Sequence, residues 1–447
     1  MNSRARGALA VICSAAAIFF PGALTFGFPG VMAPYWQDLF GVGQGATGNT
    51  LFFLLAAVGI FMFLVGKWQE KVGIRVMMLV GGIICAFNVL TVVYATNIYM
   101  VYMWAFVSGM GTSFVYIPAM TTVQRWFPSR RGLVSGIVNL VYGFSAAIMV
   151  PVFSILLLSM GYISMNLLAG ALTLAVGVVA AQFTDTPEGL QQREKKKLDK
   201  LSAQGIQDSV SRTMEQDVWK KKEQETGTPV PAGKMPADAV DSLKRDRVFS
   251  VKDAVRTRSF WLLWLVWALQ GAAGIAMVTL SVGFGISMGF PLDSAVFILT
   301  TFNITNGLSR IVTGYFSDIV GRNLTMALSF FAAGLAYFLL GYVHTLALAA
   351  VLAAVIGFSF GTLFAVSVPL ISDCFGLKHF GAIMGLVFTA YGFLAGILGP
   401  SLGGYILDVT EGNFLVVFIY LGIFCLISGV LISFVVPPEL EDNRQGA

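Results

Sequence analysis

Arg310 stands inside a strongly apolar stretch of the chain, and it is the only one of the 28 Lys and Arg residues to do so. Asn303 and Asn306 precede it at spacings that place the three side chains on one face of a helix. A guanidinium stays protonated and offers two parallel N–H donors, which match the two oxygens of a carboxylate. This polar stripe therefore predicts a site for a small anion.

The sequence offers Arg310 no evident counter-ion, because no Asp or Glu lies deep within an apolar stretch. A charge in the middle of an apolar helix costs at least about 2.5 kcal/mol on insertion scales, so it needs a polar cavity or an anionic partner. We expect that partner to be the ligand. Two alternatives stay open: Arg310, about two turns from one end of its helix, could reach lipid headgroups, or it could have a structural hydrogen-bonding role.

The composition places this site within a lipid bilayer. Hydrophobic residues make up 57% of the chain and charged residues 11%, whereas soluble domains carry roughly a quarter charged residues. Apolar stretches of about 20 residues, the length that crosses a bilayer as a helix, recur along the chain. A membrane β-barrel would show short segments of alternating polarity instead. The sequence therefore predicts an all-α membrane protein with twelve transmembrane helices.

The chain is expected to divide into three parts. Residues 1–184 should form one six-helix bundle, 185–258 a charged cytoplasmic linker, and 259–447 a second six-helix bundle. Lys and Arg residues fall on alternate loops, so a multi-pass protein of the cytoplasmic membrane with both termini in the cytoplasm is expected. The first apolar stretch is longer than the roughly 7 to 15 residues of a signal peptide and predicts an uncleaved helix.

The two predicted bundles repeat each other in sequence. Trp126, Gly132, Gly136, Tyr142, Gly143, Phe144 and Pro151 match, at one constant offset, Phe375, Gly381, Gly385, Tyr391, Gly392, Phe393 and Pro400. Two similar bundles with a substrate site between them near the middle of the membrane are typical of alternating-access transporters. An old duplication without a transport role is the alternative explanation.

Two loops carry a resemblance to a known superfamily. Residues 66–75 and 314–322 resemble the two cytoplasmic loop signatures of the major facilitator superfamily. The resemblance implies the fold of that family, with two six-helix halves. It also implies that a cytoplasmic charge network controls gating, and the matching residues are Glu70, Arg75, Asp318 and Arg322. Glu70 replaces the usual Asp of the first loop and preserves its charge.

Three further segments are similar to the oxalate/formate antiporter and monocarboxylate transporter branch of that superfamily: residues 125–136, 256–264 and 372–376. In this branch an arginine of helix eight binds the substrate carboxylate, and Arg310 stands at its position. Asn306 stands where mammalian monocarboxylate transporters have Asp, and Val387 where oxalate transporters have a second cation. The resemblance thus implies a single carboxylate, since one positive charge would leave a dicarboxylate uncompensated.

Aromatic side chains are the candidates for the rest of the pocket. Besides Arg310 and Asn306, the predicted substrate-binding residues are Tyr116, Tyr142, Phe28, Phe360, Phe364 and Tyr391. The resemblance indicates most of these positions, the internal repeat adds Tyr391, and Phe28 lies where monocarboxylate transporters carry a helix-one lysine that this chain lacks. Among 37 Phe and 13 Tyr residues, any one of them could equally be a packing residue.

These features favour a secondary transporter of a small monocarboxylate such as lactate, with proton symport favoured over anion exchange. An exchanger of the oxalate/formate type and a transporter-like carboxylate sensor remain alternatives. An enzyme is disfavoured, because His344 and His379 lie near helix ends and no nucleophile–base pair is evident. The sequence shows no catalytic residues, phosphate-binding loop, metal-ligand spacing, cofactor site or nucleic-acid-binding pattern.

Overall fold

The described part of the chain folds into helices joined by short loops and contains no β-strand. The computed structural model describes residues 3–127, 131–184, 189, 249–376 and 379–438. Most of the predicted linker therefore lies outside the described residues, and so does the side chain of Glu70. The residues before the linker are called the first half below, and the residues after it the second half.

In the first half the helices are α1 (Ser3–Phe26), α2 (Phe28–Phe40), α3 (Gln44–Val72), α4 (Ile74–Val93), α5 (Ile98–Trp126) and α6 (Arg131–Phe183). In the second half they are α7 (Val251–Arg256), α8 (Arg258–Ser287), α9 (Leu292–Val320), α10 (Arg322–Leu340), α11 (Leu346–Phe375), α12 (Phe380–Thr389), α13 (Leu402–Val409) and α14 (Phe414–Ser433). Two π-helical stretches, Ala390–Ala395 and Ile397–Ser401, join α12 to α13.

The described residues contain eleven segments that are apolar and long enough to cross a membrane. One of them, Gly136–Phe183, contains Gly161 at φ 79°, a conformation that ends one helix and begins the next. α6 is therefore two transmembrane helices, and the total is twelve. This confirms the predicted all-α fold.

The periphery of the bundle is apolar rather than polar. Large side chains such as Phe87, Leu158, Leu328 and Val351 are more than half exposed. A soluble protein rarely exposes apolar side chains over so much of its surface. In a multi-pass membrane protein these side chains contact lipid tails, so the composition of the chain and its exposed surface agree.

Several helices extend beyond the apolar stretches from which they were predicted. α3 continues to Val72, although its apolar stretch ends near residue 66, because Lys67 and Lys71 favour a helix and need no burial. The end of the predicted linker also forms a helix, α7, whose capping box pairs Ser250 with Asp253. The hydrogen bond from the Ser250 hydroxyl holds the pKa of Asp253 below its ordinary value.

The first transmembrane segment is interrupted at Gly27, between α1 and α2. Pro29 follows closely and has no N–H group to donate within the helix. The chain also approaches α6 here, since a Cβ on Gly27 would lie 2.9 Å from Val150 Cγ2. Asn303 of α9 donates its amide to the Phe26 carbonyl at 3.3 Å. The interruption is therefore a point where the two halves meet.

The two ends of the bundle are distinguished by the chain termini. At the terminal end, the Ser259 hydroxyl donates to the Val436 carbonyl at 2.5 Å, and the Asn323 amide donates to the Val435 carbonyl at 2.6 Å. These contacts place the starts of α8 and α10 beside the last described residues of the chain. The opposite end, which contains the loop before α3 and the end of α13, is called the far end.

At the far end, Asp408 of α13 joins the second half to the first. Its carboxylate accepts the backbone N–H groups of Gln44 at 2.6 Å and Gly45 at 2.8 Å. These N–H groups begin α3 and have no acceptor within their own helix. Gly43, at the N-cap position of α3, offers no side chain for this purpose. One half of the protein thus caps a helix of the other half.

Between the two ends, α3 crosses the helical segment 380–409 through glycines. A Cβ on Gly392 would lie 3.1 Å from the Cα of Gly59, and a Cβ on Gly48 would lie 2.1 Å from the Pro400 carbonyl oxygen. Small residues allow helix backbones in a membrane to approach closely. The backbones of the two halves therefore contact each other directly at these two points.

Candidate anion-binding site

Arg310 extends from α9 into the interface with α6 of the first half. Its side chain is only 6% exposed, and it is the one buried Lys, Arg, Asp or Glu side chain in the part of the chain that the structure describes. Nη1 donates to the Asn139 carbonyl at 3.1 Å, and Nη2 donates to Asn306 Oδ1 at 3.3 Å. Both acceptors are uncharged, so the positive charge is hydrogen-bonded but not neutralised by them.

Phe364 of α11 covers the guanidinium. The centroid of its ring lies 4.8 Å from Arg310 Cζ, a cation–π distance. The rings of Phe360 and Phe364 are nearly perpendicular, with their centroids 5.2 Å apart. Two of the three phenylalanines predicted for the pocket, Phe360 and Phe364, therefore lie together beside the arginine.

Tyr391 and Trp267 continue this aromatic group in the second half. The ring of Tyr391 lies 5.5 Å from Phe364 and 6.3 Å from Phe360, and Trp267 of α8 lies 5.0 Å from Phe364 and 5.8 Å from Tyr391. Tyr391 belongs to the first π-helical stretch. Such stretches occur frequently at functional sites because they widen the helix locally and redirect side chains.

Several buried donors around the arginine have no acceptor among the described residues. They are Arg310 Nε, Asn306 Nδ2, the Tyr391 hydroxyl and Trp267 Nε1. The orientation of the Asn306 amide follows from its carbonyl oxygen accepting from Arg310. A buried donor without an acceptor costs about 1–3 kcal/mol. A carboxylate, which only accepts hydrogen bonds, complements this set of donors.

Tyr116 and Tyr142 approach the arginine from the first half. The Tyr116 hydroxyl donates to Asn139 Oδ1 at 2.6 Å, and the carbonyl of the same Asn139 accepts from Arg310. The rings of Tyr116 and Tyr142 lie 5.1 Å apart. Asn139 of α6 therefore contacts both Tyr116 of α5 and Arg310 of α9.

Phe26, rather than Phe28, belongs to this group. The ring of Phe26 lies 5.3 Å from Tyr142 and 6.2 Å from Phe360, so it connects the aromatic residues of the two halves. Phe28 packs instead within the first half, 5.1 Å from Trp104 and 5.5 Å from Phe153. Phe26 ends α1 and Phe28 begins α2, and the two side chains, on either side of the interruption at Gly27, pack against different neighbours. Of the predicted pocket residues, Phe28 is the one placed outside the group.

Four residues of this site are not identified by the sequence patterns: Phe26, Asn139, Gly143 and Trp267. Asn139 does carry a signal, because it is an amide within an apolar stretch, as Asn303 and Asn306 are. Gly143 matches Gly392 in the internal repeat, but that match does not indicate what either glycine contacts. Phe26 and Trp267 carry no signal that separates them from packing residues.

The predicted gating residues lie at the terminal end. Arg322 Nη1 donates to Asp318 Oδ1 at 3.0 Å, and Arg322 Nε donates to Asp373. Arg75 of α4 donates to the Gln182 side chain of α6. An exposed ion pair stabilises a protein by only about 0–1 kcal/mol, so these contacts matter through where they are made. Their gating role stays a prediction.

If Arg310 binds the small carboxylate that the sequence predicts, replacing Phe364 with leucine should weaken that binding in the purified protein, with lactate as the probe. A cation–π contact contributes about 0.5–2 kcal/mol, which corresponds to a two- to 30-fold rise in the dissociation constant. Isothermal titration of the detergent-solubilised protein measures this rise. Phe358→Leu is the matched control, because Phe358 lies on the same helix and lines a groove with Val312 and Val355. Equal losses in the two variants would show that Phe364 contributes packing alone.

Comparison with known proteins places these features in a wider context. The profile of the Major Facilitator Superfamily matches residues 14–300 and 288–447, which together span nearly the whole chain.

Two relatives are monocarboxylate transporters. Monocarboxylate transporter 14 of Homo sapiens is 23% identical over 423 residues, with 86% of this chain and 81% of that protein covered. Monocarboxylate transporter 13 of Rattus norvegicus is 24% identical over 431 residues, with 93% and 86% covered.

A bacterial relative is named as an antiporter and not as a monocarboxylate transporter. The oxalate:formate antiporter of Oxalobacter formigenes is 25% identical over 374 residues, with 83% of this chain and 78% of that protein covered. These alignments include both halves, so the similarity is not confined to one bundle. They extend through α9, the helix that carries Arg310 and Asn306.

Proposed function

Because this chain belongs to the major facilitator superfamily, and is therefore a multi-pass membrane transporter and not an enzyme, we propose that it carries a small monocarboxylate of the lactate type. The observation that supports this most directly is the burial of Arg310. A buried cation without a neutralising partner is costly, and a carboxylate cargo would remove that cost while it is bound. The relatives named as carriers of monocarboxylates or of oxalate and formate point to the same class of cargo.

The number of charges favours one carboxylate over two. Arg310 supplies one positive charge, and no second buried Lys or Arg is present among the described side chains. Val387, where the oxalate transporters have their second cation, is fully buried and apolar. A dicarboxylate would therefore bring one negative charge into the site without compensation. Oxalate should bind less tightly than lactate or formate.

The position of the site between the halves supports transport by alternating access. Arg310 and Asn306 come from the second half, whereas Tyr116, Tyr142 and Asn139 come from the first. Separation of the halves at one end would expose the site to one side of the membrane. We place both termini in the cytoplasm, so the terminal end would open toward the cytoplasm and the far end toward the outside.

Proton symport is our preferred mode of coupling. The described residues contain no buried Asp, Glu or His that could carry a proton. The proton would then travel on the substrate or through a transient arrangement of arginine, carboxylate and water. The second candidate is anion exchange. It is favoured by the similarity to the oxalate:formate antiporter and by the cost of closing the halves around an unloaded Arg310.

Uptake into proteoliposomes tests this function. Labelled lactate should accumulate when the outside is more acidic than the inside, formate should compete, oxalate should compete weakly, and a neutral sugar should not compete. Equal lactate uptake with and without the pH gradient, together with a requirement for an internal carboxylate, would show exchange instead of symport. Binding of lactate without any uptake would indicate a sensor and contradict the transport proposal.

A further inference from the structure

Gly143 of α6 lies against the guanidinium of Arg310. A Cβ on Gly143 would lie 3.1 Å from Arg310 Cζ and 3.2 Å from both Nε and Nη2. Because these three distances are nearly equal, the added Cβ would lie over the face of the planar guanidinium and not beside its edge. A Cβ at this position would therefore push the guanidinium away by a few tenths of an ångström.

The guanidinium is restrained on other sides as well. Nη1 is held by the Asn139 carbonyl, one helical turn before Gly143, and the Phe364 ring covers Cζ. Nη2 contacts Asn306 only at 3.3 Å, and Nε has no acceptor among the described residues. The edge formed by Nε and Nη2 is therefore the part that remains for a ligand. This edge can donate two parallel hydrogen bonds to a carboxylate.

We propose that Gly143 is a positioning residue for the substrate site. It holds the Arg310 guanidinium in an orientation in which the edge formed by Nε and Nη2 faces the carboxylate. This rests on the proposed function, because it assumes that a carboxylate binds Arg310. A larger residue at position 143 would displace the guanidinium from the Asn139 carbonyl and turn this edge away from the substrate.

The residues that position the guanidinium belong to the opposite half of the protein from Arg310. Gly143 and Asn139 are on α6, whereas Arg310 is on α9, and Gly307 of α9 packs in turn against Phe144, where an added Cβ would lie 3.1 Å from Phe144 Cβ. The binding edge is thus oriented only while α6 and α9 are in contact. The first half contributes to the carboxylate site without touching the carboxylate itself.

Gly143→Ala tests this inference. The KM for lactate uptake into proteoliposomes should rise about tenfold or more, as expected for poorer hydrogen bonds to a charged group, while Vmax per folded protein changes by less than about twofold. Gly136→Ala is the matched control, because Gly136 lies on the same helix and a Cβ there meets nothing within 4 Å. A Gly143→Ala variant with the wild-type KM would overturn the proposal.

A double-mutant cycle covers the case in which Gly143→Ala lowers stability. In purified protein, the drop in melting temperature caused by Gly143→Ala should largely disappear in an Arg310→Ala background, because the alanine then meets no guanidinium. An equal drop in melting temperature in both backgrounds would contradict the proposed contact between Gly143 and the Arg310 guanidinium. If the wild-type protein neither binds nor transports lactate, the proposed function fails, whereas a normal wild-type protein with an unaffected Gly143→Ala variant rejects only the positioning role.

Discussion

Substituting Arg310 with lysine or with glutamine should abolish lactate uptake while the protein still inserts into the membrane. Lysine keeps the charge but presents one point-like donor group, which cannot reach both oxygens of a carboxylate in parallel. Glutamine also removes the charge. Loss of a paired, charge-assisted contact costs about 3 kcal/mol, so uptake at low lactate concentration should fall by about 100-fold or more.

The measurement is initial uptake into proteoliposomes, normalised to the amount of folded protein found by size-exclusion chromatography. Arg258→Gln is the control, because Arg258 also lies over a ring, that of Phe434 at 6.0 Å, but belongs to the terminal end of α8. Its uptake should stay within about twofold of wild type, as expected for a surface substitution. Wild-type uptake by Arg310→Gln would exclude this site, and wild-type uptake by Arg310→Lys would exclude the two-oxygen contact.

Replacing Asp408 with alanine should open the far end of the bundle. The carboxylate holds two backbone N–H groups at the start of α3, and both lose their acceptor in this variant. A hydrogen bond to a charged group contributes about 1.5–3 kcal/mol, and a negative charge at a helix N-terminus adds about 0.3–1 kcal/mol. The ratio of far-end-open to far-end-closed protein should therefore rise about tenfold or more.

Electron–electron double resonance can measure this change between spin labels on Leu39 and Val416, which are exposed near the far end on different halves. A longer distance should gain population in Asp408→Ala, with an intermediate effect in Asp408→Asn, whose amide oxygen can still accept. Asp293→Ala serves as the control, since Asp293 lies in the first turn of its own helix and accepts from its neighbour Ser294. Identical distance distributions in all variants would show that Asp408 does not hold the far end closed.

The membrane fold was predictable because its cause is visible in the sequence. A helix must be apolar over about 20 residues to cross the bilayer, and that requirement fixes the existence and the type of each element. The buried arginine was predictable for the same reason. A charge in an apolar stretch is rare because it is costly, so Arg310 and its neighbour Asn306 stand out among the residues of their helix.

The contacts across the halves could not be predicted. Asn139 and Arg310 are far apart in the chain, and helical periodicity describes which residues share a face but not which helix packs on that face. The prediction of Phe28 shows the same difficulty, because Phe28 packs within the first half, whereas Phe26 contacts Tyr142 and Phe360. Placing one aromatic residue correctly required knowing how the first segment is rotated beside its neighbours. Trp267 and Gly143 gain their importance only from what stands opposite them.

The glycines at the centre of the bundle have a mechanical consequence. Where Gly59 faces Gly392, the backbones of the two helices meet without a side chain between them. Two helices with interdigitated side chains can tilt only after those side chains separate. Helices that contact through glycines can change their crossing angle without this step. We therefore expect the two halves to tilt against each other at this point when the Asp408 contact at the far end is released.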